Sequence, residues 1–96
     1  MNQYLLLIHG NTKSAPNDQE WESFFVAART SGMFQGGSEV GAKEIIGDQT
    51  PIHTSAHIEG YMRFDTDDKP ALLALLQQHP IVLHGGTVEL CALPKS

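Results

Sequence analysis

Residues 79–90 decide the fold of this chain, with the sequence His79-Pro80-Ile81-Val82-Leu83-His84-Gly85-Gly86-Thr87-Val88-Glu89-Leu90. The leucine-rich stretch before them has helical spacing and must end at the His-Pro step, because the residue before a proline is pushed out of the helical conformation. A Gly-Gly turn then leads into alternating apolar and polar residues over 87–93, which is typical of a β-strand.

The rest of the chain predicts three more strands and one more helix. Residues 3–9 are a strand with a continuous apolar run, and residues 58–65 alternate as a strand does. Asn17 and Glu20 have capping-box spacing at the start of a helix that Gly32 ends, although Pro16 could instead be its first residue. Residues 33–40 form a strand that Gly36-Gly37 weakens or bulges.

Four further expectations complete this pattern. Asp67 or Asp68 caps the second helix, with Pro70 in its first turn. Residues 44–46 form a short strand, and residues 51–56 form a loop or an edge hairpin. The two helices are expected to cover one face of the sheet with an apolar core of Trp21, Phe24, Phe25, Leu72, Leu75 and Leu76.

The predicted fold class is α+β, a ferredoxin-like βαββαβ antiparallel sheet with two helices on one face. The 96 residues form a single domain, 1–96, because a chain of this length has no room for a second core. The strand 3–9 is apolar on both faces while the helices cover only one, so we expect a homodimer in which a second copy covers the other.

Composition excludes several classes of protein. The net charge is −5, from six basic and eleven acidic residues, and the basic residues are scattered, which argues against nucleic acid and anionic membrane surfaces as partners. The only cysteine is Cys91, so no internal disulfide can form. The first residues lack a basic segment and a long apolar run, and the expected location is therefore cytoplasmic.

Several short motifs, in this order and spacing, resemble the YCII-related, or DGPF-domain, family. They are Tyr4-Leu5-Leu6-Leu7-Ile8, Glu20-Trp21, Gly36-Gly37-Ser38-Glu39-Val40, Gly60-Tyr61, and His79-Pro80 followed by Gly85-Gly86-Thr87-Val88-Glu89-Leu90. The resemblance covers nearly the whole chain. It implies a ferredoxin-like domain that pairs sheet to sheet as a dimeric α+β barrel, in a family whose members mostly have no established activity.

The sequence also departs from that family. The namesake Asp-Gly-Pro-Phe motif is absent from residues 50–57. One branch of the family has a proposed His–Asp pair, with the His early in the first helix and the Asp in an Asp-Pro step after the second helix. This chain has Glu20, Trp21 and Glu22 in the first of these regions and His79-Pro80 in the second. The pair therefore cannot be carried over, and at most His79 stands at the position of one member.

Histidine carries the candidate chemistry, since its side chain gains and loses a proton near neutral pH. In the predicted fold the strand 3–9 lies between the strands 58–65 and 87–93. If the polar faces of these strands coincide, His9, Arg63 and Glu89 line one concave surface, as a base, an anion clamp and a partner, with Tyr61 beside them. We expect His79 and His84 at the rim. The candidate catalytic residues are His9 and His79, and the candidate ligand-binding residues are Arg63, Glu89, Tyr61 and His84.

Structural roles compete with each of these assignments. Arg63 and Glu89 could be a cross-strand ion pair at a dimer interface. His79 could serve as a cation at the end of the second helix, and His84 could be a turn residue. His53 and His57 lack the ligand set of a zinc site, Cys91 suits a packed side chain, and Gly85-Gly86 lacks the residues of a phosphate loop. We expect no metal and no cofactor.

Two functions remain open at this point. The first is a dimeric domain that binds a small metabolite or a partner without catalysis. The alternative is a small-molecule enzyme, lyase- or hydrolase-like, that uses histidine for acid–base chemistry. The absence of the family's paired residues favours the first, because a fold alone does not carry an activity.

Overall fold

The computed structural model describes residues 1–48 and 55–94. It is an α+β structure with a four-stranded antiparallel sheet in the order β2-β3-β1-β4. Three helices accompany the sheet in this part of the chain. The elements in chain order are β1 (Asn2–His9), α1 (Asp18–Thr30), β2 (Phe34–Glu39), β3 (Ile58–Thr66), α2 (Lys69–Leu76), α3 (Pro80–Leu83) and β4 (Val88–Leu93).

The central strand β1 pairs with β3 on one edge and with β4 on the other, which confirms the predicted position of this strand. Its side chains alternate between two environments, as the twofold period of a strand requires. Tyr4, Leu6 and Ile8 are buried, whereas Leu5 and Leu7 are half-buried on the opposite face.

All three helices lie over the face of the sheet that carries these buried residues. Phe24, Leu72, Leu76 and Ile81 join the same core cluster as Leu6 and its neighbours in β3. Trp21, Phe25 and Leu75 are partly buried and pack against that cluster, so the predicted helix–sheet core is confirmed. We call the uncovered side, which carries the odd-numbered residues of β1, the open face.

The start of α1 is the predicted capping box. The Asn17 side chain accepts a hydrogen bond from the backbone N–H of Glu20 at 2.8 Å, and the Glu20 carboxylate accepts one from the Asn17 N–H at 3.1 Å. These bonds satisfy two backbone donors that a helix otherwise leaves free. Gly32 follows the helix with φ of 76°, which only glycine adopts easily.

The segment after α2 differs from the prediction. Asp68 caps α2 as expected, but the helix already ends at Leu76. Pro80 then begins the short helix α3, because proline is well suited to the first helical position, where no N–H bond is needed. The sequence predicted only a helix end at this proline.

The strand predicted over 44–46 is wrong, since residues 41–46 contain no regular structure and Ile46 is 92% exposed. The expected irregularity in β2 is confirmed by a register shift between Phe34 and Gly36. Most of the hairpin predicted over 51–56 lies outside the described residues.

In the ranges 1–48 and 55–94, no helix is long and apolar enough to cross a membrane. The cytoplasmic location expected from the sequence stays a prediction.

Candidate functional site

The open face brings His9 and Glu89 together. The Nε2 atom of His9 lies 2.9 Å from the Oε1 atom of Glu89. The His9 side chain is shielded on a further side by the ring of His57, with 4.8 Å between ring centroids. The predicted proximity of His9 and Glu89 is therefore confirmed.

Arg63 and Tyr61 lie on the same face but do not complete a compact site with His9. Arg63 is opposite Leu5 in the β1–β3 register, and Tyr61 is opposite Leu7. Four residues along a strand span about 13 Å, so Arg63 is too far from His9 to clamp an anion beside it. The competing expectation of an Arg63–Glu89 ion pair is not met either, because Glu89 lies opposite Leu7 and contacts His9.

His79 lies in the core and not at the rim of a site on the open face. Its side chain is fully buried, with ring centroids 5.2 Å from Trp21 and 4.6 Å from Phe24. The Nδ1 atom accepts a hydrogen bond from the backbone N–H of Ile81 at 3.2 Å, so His79 caps the start of α3. The expected role as a cation at the end of the second helix is therefore replaced by an N-cap.

The surroundings of His79 keep it neutral. Burial in this apolar cluster lowers the pKa of His79 to about 4 from its ordinary value of 6.5. Because Nδ1 accepts a hydrogen bond, Nε2 carries the hydrogen of the neutral ring, and that buried nitrogen has no hydrogen-bond partner among the described residues. A fully buried histidine that resists protonation is poorly suited to exchange protons with a substrate.

His84 lies on the helix side and joins two residues that the sequence did not assign to a site. Its Nε2 atom is 2.7 Å from Oε2 of Glu20, and its Nδ1 atom is 2.7 Å from Oγ of Ser14. A carboxylate only accepts hydrogen bonds, so Nε2 of His84 donates to Glu20. A neutral His84 then accepts the Ser14 hydroxyl hydrogen at Nδ1. This bond from His84 holds the pKa of Glu20 below its usual range.

The sequence indicated Glu20 only as a capping residue, and the capping box explains why it is well placed. One carboxylate oxygen accepts the Asn17 N–H, while the other accepts His84. The chain of contacts Ser14–His84–Glu20, which we call the serine relay, joins a loop, a turn and a helix. No sequence spacing indicates such a contact, because the residues are separated by up to 70 positions.

A cavity of about 680 Å³ lies between α1 and the β2–β3 edge of the sheet. Its volume falls within the range of small-molecule sites. Gly37 and Gly60 line it with backbone alone. The larger apolar and aromatic residues of the lining include Trp21, Phe25, Phe34, Met62 and Ile81, together with Tyr61, which the sequence predicted as a ligand-binding residue.

The sequence did not predict this cavity, although its wall uses residues expected in the core. Trp21, Phe25 and Phe34 form a run of neighbouring rings, with centroid distances of 6.0 Å and 5.9 Å between successive pairs. Trp21 is the only tryptophan of the chain. Gly37 lines the cavity whereas Gly36 does not, so the Gly-Gly pair in β2 is not by itself a signal for it.

The described part of the chain contains no recognisable metal-binding site. No group of three or more His, Cys, Asp or Glu residues there could hold a metal ion. His57 is exposed and contacts His9, whereas His53 lies outside the described residues.

The chain matches no protein-family model, and a search of curated proteins finds no match. The chemistry of the site is therefore interpreted from the residues and their geometry alone.

His79 predicts a specific dependence of stability on pH. The unfolded chain takes up a proton at His79 near pH 6.5, whereas the folded chain does so only near pH 4. Between these values the unfolded state binds more protons, so stability falls as pH falls, by at most about 1.4 kcal/mol per pH unit. The variant His79→Asn keeps a capping acceptor but cannot titrate, and urea unfolding should show a correspondingly weaker loss between pH 6.5 and 4.5.

Gln78→Asn, at an exposed residue next to His79, is the control and should keep the wild-type slope. A His79→Asn slope equal to that of the wild type would contradict a neutral buried His79.

Proposed function

We propose that this protein is a small-molecule-binding domain whose ligand occupies the cavity between α1 and the β2–β3 edge. The cavity itself carries the proposal, because about 680 Å³ of space with a mainly apolar wall is typical of a ligand site. The candidate residues of the open face are spread along the strands.

We also propose that the chain is a single ferredoxin-like domain related to the YCII family. The order β2-β3-β1-β4, with helices between β1 and β2 and between β3 and β4, supports this arrangement. The family motifs noted in the sequence support the relationship. An experimental structure with a different strand order would contradict the proposed fold type.

A second copy of the chain is the partner proposed for the open face. Leu5, Leu7 and Cys91 are half-buried there, and no element of the described chain covers them. Apolar residues in the middle of an uncovered sheet favour association, and two identical sheets can pack face to face about a twofold axis. The result would be a dimeric α+β barrel.

The dimer predicts a mass of about twice 10.5 kDa by light scattering at micromolar concentration. Leu7→Glu places a charge at the centre of the open face and should give a monomer, because burying an unpaired charge is costly. Leu73→Glu, at a residue of α2 that is 44% exposed, is the matched control and should stay dimeric. A monomeric wild type would rule the dimer out.

Ligand binding can be tested with 3-phenylpropanol, a neutral molecule with an aromatic ring and a flexible chain. In NMR titrations, we expect shifts of the Trp21 indole N–H and of the Gly37 and Gly60 amides. Val40 lines the cavity, so Val40→Trp should fill it and weaken binding roughly tenfold or more. Val26→Trp, on the exposed side of α1, is the control and should bind as the wild type does. Equal binding by both variants would place the ligand elsewhere.

A hydrolase is the second candidate function, and the serine relay is the observation that favours it. A base that accepts the hydroxyl hydrogen of Ser14 increases the nucleophilicity of that oxygen, and Glu20 stabilises the protonated ring that results. In ester cleavage, Ser14 Oγ would attack the acyl carbon while its proton passes to His84. His84 would then give that proton to the oxygen of the breaking ester bond, and the alcohol would leave. Water would then release the acid from the serine.

The relay predicts hydrolysis of 4-nitrophenyl acetate that depends on Ser14. Ser14→Ala should lower the rate above the buffer background by about 100-fold or more, since the nucleophile is removed. Ser23→Ala, at an exposed serine on α1, is the control and should keep the rate. Equal rates for the two variants would leave the relay as a structural contact.

A further inference from the structure

Three acidic residues line the cavity described above. Asp18 is the first residue of α1, Glu39 is the last residue of β2, and Glu59 lies in β3 at the register shift between Ile8 and His9 of the partner strand. All three are exposed, so they lie where the cavity opens to solvent. They come from three separate elements and meet only in the folded protein.

The lining contains no compensating basic residue. None of the residues around the cavity in the described chain is Lys, Arg or His. The ion pairs found in the described residues involve other carboxylates, those of Glu20, Asp67 and Glu89. Among the described residues, the charges that line the cavity are therefore all negative, and such a cleft concentrates cations.

Two of these acids have a local setting that explains their position. A Cβ atom on Gly10 would collide with the Glu59 carboxylate, so this carboxylate lies against a residue that has no side chain. Asp18 lies at the N-terminal end of α1, where the helix dipole favours an acid.

The aromatic wall of the cavity also favours a positively charged ligand. Trp21 and Phe34 flank Phe25, and the faces of aromatic rings attract cations, tryptophan most strongly. Phe25 already makes such a contact, with the Arg29 guanidinium carbon 5.6 Å from its ring centroid. Arg29 does not line the cavity, whereas Trp21 and Phe34 do.

We propose that the ligand of this cavity is an organic cation, an amine with an aromatic or aliphatic body. The apolar body fits among Trp21, Phe34 and Met62, and the ammonium group lies near Glu39 and Glu59 at the opening. This inference rests on the proposed function, and it adds the chemical class of the ligand. Carboxylates and phosphates are disfavoured, because their charge would face three acids.

Three probes of the same shape test the charge preference. They are 3-phenylpropylamine, which is cationic at pH 7, the neutral 3-phenylpropanol, and the anionic 3-phenylpropanoate. Titrations followed at the Trp21 indole N–H should give the order cation, neutral, anion, with roughly tenfold tighter binding of the cation than of the alcohol. Added salt should reduce this advantage, because charges at an exposed opening are screened.

Two variants assign the preference to the carboxylates. Glu39→Gln and Glu59→Gln should each weaken binding of the amine severalfold and leave binding of the alcohol unchanged. Glu22→Gln, at an exposed residue of α1 that does not line the cavity, is the matched control and should change neither.

The outcomes separate this inference from the function on which it rests. Binding of the alcohol as tight as that of the amine would overturn the cation preference and leave a small-molecule site. Tightest binding of the anion would also overturn it. If none of the three probes shifts the Trp21 signal at millimolar concentration, the proposed site and the cation preference are both overturned.

Discussion

The burial of β1 is the constraint on which the rest of the structure depends. This strand is hydrogen-bonded along both edges, and one of its faces lies under the helices. Because side chains alternate strictly, burying Leu6 and its even-numbered neighbours forces Leu5, Leu7 and His9 to the open face. A slip of one residue would expose the core and bury a histidine, so the register has little freedom. The contact between His9 and Glu89 follows from that register.

The chemistry of the histidines is decided by their surroundings. His9 lies beside a carboxylate on the open face, and His84 lies between a carboxylate and a hydroxyl. His79 is enclosed by aromatic rings, and that burial lowers its pKa. The same side chain thus serves as a surface partner, as a member of a polar relay and as a neutral capping group in the core.

Close backbone packing between β2 and β3 accompanies the candidate ligand site. Gly36 has φ of 121°, which side chains disfavour, and it accompanies the register shift in β2. A Cβ on Gly37 would collide with the backbone of Tyr61, so the two strands approach closely at this point. The cavity lies beside this close approach, and Trp21 and Phe25 of α1 form part of its wall.

The sequence by itself determined the features that depend on neighbours along the chain. The capping box at Asn17, the cap at Asp68, the alternation of β1 and β3 and the helix-facing core all follow from local spacing, and the structure contains each of them. Alternation along β1 and β4 predicted a shared face for His9 and Glu89 only together with the strand order of the expected fold.

Only the tertiary structure decided the features that depend on distance in space. The local sequence allowed His79 either to bind carbonyls at the end of α2 or to cap the start of a new helix. In the folded chain it caps α3, and packing against Trp21 and Phe24 excludes water from its ring. The serine relay joins residues up to 70 positions apart, and the acidic opening of the cavity joins the ends of three elements. Such contacts depend on how the elements pack, and no local periodicity in the sequence encodes that packing.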